Sequence, residues 1–137
     1  GAIRVFGGTQ YRPNLHIEDM CRAYIHILTQ SHERVQRQVF NVGGINHTVT
    51  ELAEIVQENV GGDVSVTLEP TDDNRSYRIS SDHIRNALGF EPLKGVPDAV
   101  RDLVEAFQAG LLPDSFEDSD YFNIQKMNEI IGAATTA

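Results

Sequence analysis

Apolar positions along the chain divide into two repeating patterns. Ala2–Gly7, "AIRVFG", predicts a short strand, with Gly7 and Gly8 as the turn after it. Ile17, Met20, Cys21, Tyr24, Ile27 and Leu28 then recur at steps of three and four, which predicts a helix over about Glu18–Gln30 with that stripe buried. Glu18 and Asp19 fall in its first turn, where the positive end of the helix dipole favours carboxylates. "VFNVGG", Val39–Gly44, alternates like a buried strand and ends on two glycines. A strand, helix, strand order over so short a length predicts a right-handed crossover and a parallel pairing. Thr48 with Glu51 three residues later predicts a capped helix with Leu52, Ile55, Val56 and Val60 inside, stopped at Gly61-Gly62. "VSVTLEP", Val64–Pro70, and "SYRIS", Ser76–Ser80, are predicted as strands, and "SDHIRNALGF" as a short helix ended by Gly89. Pro97 suits a helix start, and Val100, Leu103, Val104 and Phe107 carry an apolar face on to Gly110. From Pro113 the chain is acidic, then helical in "IQKMNEII", with "GAATTA" expected to fray.

The predicted class is α/β: the last strands and helix of a parallel sheet, followed by a small α+β lobe. Two parallel strands cannot cover both faces of a sheet, so their partners are expected from elsewhere. The chain therefore reads as the carboxyl-terminal portion of a larger protein.

Composition narrows the function. The 137 residues suit one domain with a real core, and 40% hydrophobic with 23% charged residues is ordinary for a soluble protein. A net charge of -9 argues against a nucleic-acid or anionic-membrane surface. The single cysteine, Cys21, permits no internal disulfide, argues against a zinc cluster, and points to a reducing cytoplasm; its place on the helix stripe predicts inert core. No apolar run reaches the ~20 residues of a membrane helix. The cations are lopsided, nine arginines to two lysines. Planar, bidentate recognition of phosphate favours that bias.

Arg12, just upstream of a strand-to-helix junction, has two readings. It is a surface arginine paired with Glu18 or Asp19, or an anion-binding arginine at the carboxyl edge of a sheet. Arg75 and Tyr77 alternate onto one face of the predicted strand, with Arg78 on the other. An arginine beside an aromatic ring can hold a phosphate while the ring packs on a sugar or base; alternatively Asp72 and Asp73 neutralise Arg75 in a turn. Gly43 and Gly44 permit close backbone approach, and the Asn46 amide can bond a hydroxyl or base. The five histidines (His16, His26, His32, His47, His83) show no metal-ligand spacing, so no metal site is expected. His26 and His32 read as helix-surface residues and His16 as packing at the strand end. No GxSxG elbow supplies a hydrolase nucleophile.

Three blocks together resemble a known family. "RPNLHIEDMCRAY" resembles the Arg-x-x-x-His-Val/Ile-x-Asp-x-x-x-Ala signature of extended short-chain dehydrogenase/reductases, specifically the NAD-dependent nucleotide-sugar epimerase/dehydratase family. "VFNVGGINHTVTELAEIV" is similar to that family's strand entering the substrate lobe. "DDNRSYRISSDHIRNALGFEP" resembles its Asp-x-Arg-x-Tyr segment, which runs on to Leu-Gly-Phe-x-Pro. Order and spacing agree over roughly Ile3–Phe107. Within these blocks Gly7-Gly8-Thr9 is tighter than the usual Gly-x-Gly turn, and His83 stands where lysine is frequent.

The resemblance implies that residues 1–45 are the end of a Rossmann-like cofactor domain, 46–112 a substrate lobe and 113–137 an acidic tail. It implies that Arg12 and Arg75 bind the diphosphate of an NDP-sugar, with Tyr77 beside them and Asn46 on the nucleotide. Asp19 is assigned to structure. The family's cofactor turn, GxxGxxG, does not occur in the chain. Nor does its Tyr-x-x-x-Lys pair: four residues after Tyr11, Tyr24, Tyr77 and Tyr121 stand Leu15, Leu28, Ser81 and Gln125. The expectation is thus a carboxyl-terminal fragment of an NAD-dependent NDP-sugar epimerase, 4,6-dehydratase or ketoreductase. It would grip the nucleotide diphosphate for a missing amino-terminal cofactor domain, have no catalytic or cofactor-binding residues of its own, and be inactive alone. The parent would use NAD and resemble the family's homodimers. The alternatives are a non-catalytic nucleotide-sugar binding module and an interaction domain.

Overall fold

The computed structural model describes residues 1–73 and 75–135. By their contacts these form two compact units, Gly1–Val104 and Glu105–Ala137.

In the first unit, strand β1 (Ala2–Phe6) pairs in parallel with β4 (Ser65–Glu69), in a register running from Ala2 opposite Ser65 to Phe6 opposite Glu69. The predicted parallel pairing therefore exists, with a different partner: the segment taken as the remnant of one domain is zipped to the segment taken as the next. Helix α3 (Val49–Val60) packs on both strands. Its start follows the prediction closely. Thr48 Oγ accepts from Glu51 N, and the Glu51 carboxylate accepts from Thr48 N, so two otherwise orphaned amides are satisfied. A second, antiparallel ladder joins β2 (Tyr11–Pro13) to β3 (Asn46–Thr48), with Arg12 opposite His47.

Two predicted strands are absent. Val39–Gly44 is extended without a ladder, and Val39 is 82% exposed. Its glycine amides are taken elsewhere: Gly43 N donates to Ser81 Oγ (2.8 Å) and Gly44 N to Asn14 O (2.7 Å). Gly43 is needed for close approach, because a Cβ there would sit 2.3 Å from Ile79 Cδ1. Ser76–Ser80 also forms no ladder. Tyr77 N reaches Tyr11 O, and the Asn46 amide acts as a one-residue strand partner, accepting from Ile79 N (3.0 Å) and donating to Ile79 O (2.9 Å).

Helix α1 (Ile17–Leu28) forms as predicted, but a different face is buried. Inside lie Asp19 and Ala23, and Ala23 meets Ile84, Leu88 and Phe90, with Ile27, Phe40 and Val42 packed around them. Of the predicted stripe only Ile27 packs on the core; the rest points outward, with Ile17 70%, Tyr24 64% and Leu28 81% exposed, and Cys21 exposed rather than core. Periodicity finds an apolar face but not what covers it. Here the small Ala23 lies in the core cluster with Ile84 and Leu88 of α4 (Asp82–Leu88), and the exposed residues of the stripe have no cover among the described residues of this unit. His26 also turns inward, its ring bonding Leu88 O and packing on Phe90. Leu28→Gln should therefore change stability by less than about 0.5 kcal/mol in chemical denaturation, whereas a Leu in the core would cost several times that. Between α1 and α3 lies one turn, α2 (His32–Val35).

Helix α4 ends at Gly89, which is left-handed (φ 74°) and returns its amide to Arg85 O. Helix α5 (Val96–Gln108) has Pro97 in its first turn, as predicted. The second unit comprises its last residues, where Phe107 stacks on Phe116 of the loop that follows, a 3-10 turn at Ser119–Tyr121, and α6 (Asn123–Thr135). The expected fraying from Gly132 is not seen as far as Thr135; Thr136 and Ala137 lie outside the described residues. Lys126 ties Asp120 to Glu129. No helix among the described residues is long and apolar enough to cross a membrane.

Candidate anion-binding site

Arg12 sits on β2, and its guanidinium is held from both sides of a gap. Nη1 donates to Tyr11 O (2.9 Å) and to Arg75 O (2.6 Å), while the group lies 5.4 Å over the Tyr77 ring. It pairs with neither Glu18 nor Asp19. Its carboxylate is Asp73, 3.7 Å from Nη2. Arg75 grips the same carboxylate in a bidentate fork, Nε to Oδ1 and Nη2 to Oδ2, both 2.8 Å. Two guanidinium groups from segments 63 residues apart thus converge on one anion. Nearby, Arg78 stacks on the Tyr11 ring at 3.5 Å.

The loop bearing Asp73 is fixed from below. Gln10, itself buried, donates to Asp73 O, and Asp73 N donates to Thr71 Oγ1. The Arg75 side chain and amide, joined by the Arg12 charge, hold the Asp73 carboxyl well below the usual carboxylate range, and Arg75 is raised in return. Of the predicted site residues, Arg12, Arg75 and Tyr77 are brought together. Asn46 lies one ladder position from His47, the residue opposite Arg12, and its amide is engaged by Ile79.

Two features had no counterpart in the sequence reading. His16 caps α1, its Nδ1 accepting from Glu18 N, and its Nε2 lies 3.1 Å from Asp102. Since Nδ1 accepts an N–H, the proton resides on Nε2 and is donated to Asp102. Lys94 joins Asp102 to Glu18. A cavity of about 630 Å³ opens beside this network, between Gly43-Gly44 and the Glu91–Pro97 loop. Arg12, Asp73, Arg75 and Tyr77 do not line it, and its cations Arg85 and Lys94 are each paired with two carboxylates, whereas Arg12 and Arg75 share the one carboxylate of Asp73. The convergent pair is the better candidate for chemistry.

Residues 1–43 match the model of the NAD dependent epimerase/dehydratase family. The fold of the chain is the Rossmann-like α/β fold of solved epimerases and dehydrogenases. UDP-glucose 4-epimerase from Thermotoga maritima, solved with UDP-glucose, is 24% identical with a TM-score of 0.66, over 80% of this chain and 36% of that one. RMD from Pseudomonas aeruginosa, complexed with NADPH, is 19% identical with a TM-score of 0.62, over 79% and 36%. L-threonine dehydrogenase from Phytophthora infestans is 12% identical with a TM-score of 0.67, over 79% and 37%. The chain thus spans little more than a third of the length of these structures. No curated protein matches it.

The epimerase family's NAD has no cradle in the turn after β1. Gly7 N is bonded to Glu69 O and Gly8 N to Gln10 Oε1, and the turn leads into β2 rather than into a helix N-terminus. These residues do not fit a dinucleotide.

Proposed function

We propose that this chain grips the nucleotide diphosphate of an NDP-sugar for an NAD-dependent epimerase, 4,6-dehydratase or ketoreductase, and works with a separate NAD-binding α/β domain. The observation that carries the reading is the convergence of Arg12 and Arg75 on one carboxylate. A phosphate offers the same two acceptor oxygens to a guanidinium fork, with more charge. The Tyr77 ring buttresses Arg12 and has 55% of its surface free for a sugar or base, and Asn46 is close enough in the fold to meet the nucleotide. NAD, held by the other domain, supplies the temporary hydride acceptor at the sugar C4. The role of this chain is to turn binding energy far from C4 into position at C4. The exposed Ile17–Tyr24–Leu28 stripe supports a partner layer over α1. A cytoplasmic, homodimeric parent completes the proposal.

Titration of the isotope-labelled chain with a panel of NDP-sugars, followed by NMR, tests it. Saturable shifts centred on Arg12, Arg75 and Tyr77, at millimolar concentrations, are expected from a lobe acting without its partner. Micromolar affinity would favour a self-standing binding module. Absence of shifts with every NDP-sugar would overturn the diphosphate reading.

A further inference from the structure

We propose that Asp73 is a built-in competitor for the anion site, a carboxylate latch that a diphosphate must displace. The proposal rests on the diphosphate reading of Arg12 and Arg75. Its own basis is the geometry of a single carboxylate. Both oxygens of Asp73 lie in the Arg75 fork, and Oδ2 also faces Arg12 Nη2. The group thus occupies the convergence point that a phosphate would take. Among the described residues no other carboxylate lies against either guanidinium.

The latch is able to open. Arg75 has 82% of its side chain exposed and Asp73 35%, so water can replace each partner as the pair separates. The backbone need not move with it. The loop is pinned through Asp73 O to Gln10 and through Asp73 N to Thr71, neither of which uses the carboxylate. Only the side chain need rotate away. Arg12 is likewise retained, since its bonds to Tyr11 O and Arg75 O do not involve Asp73.

Three consequences follow from charge. With the latch closed, the two guanidinium groups are half neutralised and rigidly aligned, which keeps the site formed without ligand. A monoanion offers no more charge than Asp73 already supplies, so it gains little by exchange. A diphosphate, with at least twice the charge and four or more acceptor oxygens, can outcompete the carboxylate and span both forks. Asp73 thereby selects for multivalent anions. Its carboxyl is held ionised by Arg75 first and Arg12 after it, so the competitor stays charged through the neutral range.

The test is calorimetric titration of the full chain with inorganic pyrophosphate, comparing Asp73→Asn with Asp72→Asn. Both remove one negative charge from the same loop, but only Asp73 meets the guanidinium groups among the described residues. Asparagine keeps an oxygen to accept the Arg75 amide (3.1 Å), and Asp73→Ser gives a second variant with an acceptor in the turn. The expected result is pyrophosphate binding roughly three- to tenfold tighter in D73N, with D72N close to the parent chain. The gain should be smaller for fluoride or acetate. Equal tightening in D72N and D73N would assign the effect to bulk charge and overturn the latch. Equal binding by the parent chain and D73N would also overturn it while leaving the diphosphate reading intact. If none of the chains binds pyrophosphate, latch and diphosphate reading fall together.

Discussion

Asp19→Ala should lower the stability of the first unit by about 3 kcal/mol, and Asp19→Asn by somewhat less. Asp19 is completely buried, and its carboxylate collects three donors: Leu93 N (3.0 Å), Lys94 N (2.8 Å) and the Arg22 guanidinium. Alanine leaves two amides of the Leu93–Lys94 turn without an acceptor and opens a void beside Ala23. Asparagine can satisfy both amides, which share Asp19 Oδ2, through its single oxygen, but then presents an NH₂ to the Arg22 guanidinium. The cost stays below that of a fully buried ion pair because Arg22 is 41% exposed and can rehydrate. In thermal melts by circular dichroism the alanine variant should melt roughly 10–20 °C lower. An unchanged midpoint would mean that the Leu93–Lys94 turn is not held by Asp19.

The same carboxyl carries a pH signature. Burial raises its pKa, but the Lys94 and Leu93 amides and then Arg22 outweigh burial, leaving it below the ordinary value. A group depressed on folding stabilises fully above its unfolded pKa, near 3.8, and that stabilisation disappears as pH falls through the lower folded value. Stability of the parent chain should fall as pH drops below about 4, and less steeply in D19N. Part of the slope must persist in the variant, because Asp98 and Asp102 are also depressed, by the Gly95 amide and by Lys94 respectively.

Asp19 also shows where sequence reasoning succeeds and where it stops. Signals confined to one turn were legible: the Thr48–Glu51 cap, the Gly89 stop, Pro97 in a first turn and the first-turn carboxylates of α1. These depend on atoms three or four residues apart. The burial of α1 was not legible, because its most apolar stripe faces outward and a carboxylate faces inward, accepting from amides 74 and 75 residues away. "VFNVGG" and "SYRIS" have strand-like residues, yet a strand is defined by its partner. In each the backbone is satisfied by Ser81, Asn14 or the Asn46 amide. The Arg12–Asp73–Arg75 cluster was legible in its arginines and not in its centre. Arg12, Arg75 and Tyr77 stood out as residue types, whereas Asp73 was visible only as a neighbour of Arg75, with nothing to indicate Arg12 as well.

Arg12→Ala should weaken NDP binding more than Arg75→Ala, although Arg75 makes the better fork. The reason is that Arg12 has two tasks. Its Nη1 bonds Tyr11 O and Arg75 O, which fixes the backbone carrying the second arginine, and its face supports Tyr77. Arg75, by contrast, is exposed, and among the described residues its side chain bonds Asp73. Its loss removes one charge-assisted contact and costs about tenfold in affinity. Loss of Arg12 removes a contact and also the alignment of the other, so that saturation should vanish over the same concentration range. Lysine separates the two tasks. Arg75→Lys keeps the charge but loses the planar pair and should retain part of the affinity. Arg12→Lys has donors enough in number, but all on one nitrogen, whereas Arg12 bonds the two carbonyls through Nη1 and faces the anion with Nη2, so lysine should behave nearly as alanine does. Ligand-free spectra distinguish this from a simple count of charges: the Tyr77 and Ile79 amides should shift in both Arg12 variants and hold their positions in both Arg75 variants. Equal losses from the two alanine variants, with undisturbed Tyr77 and Ile79 signals, would reduce Arg12 to one more surface charge.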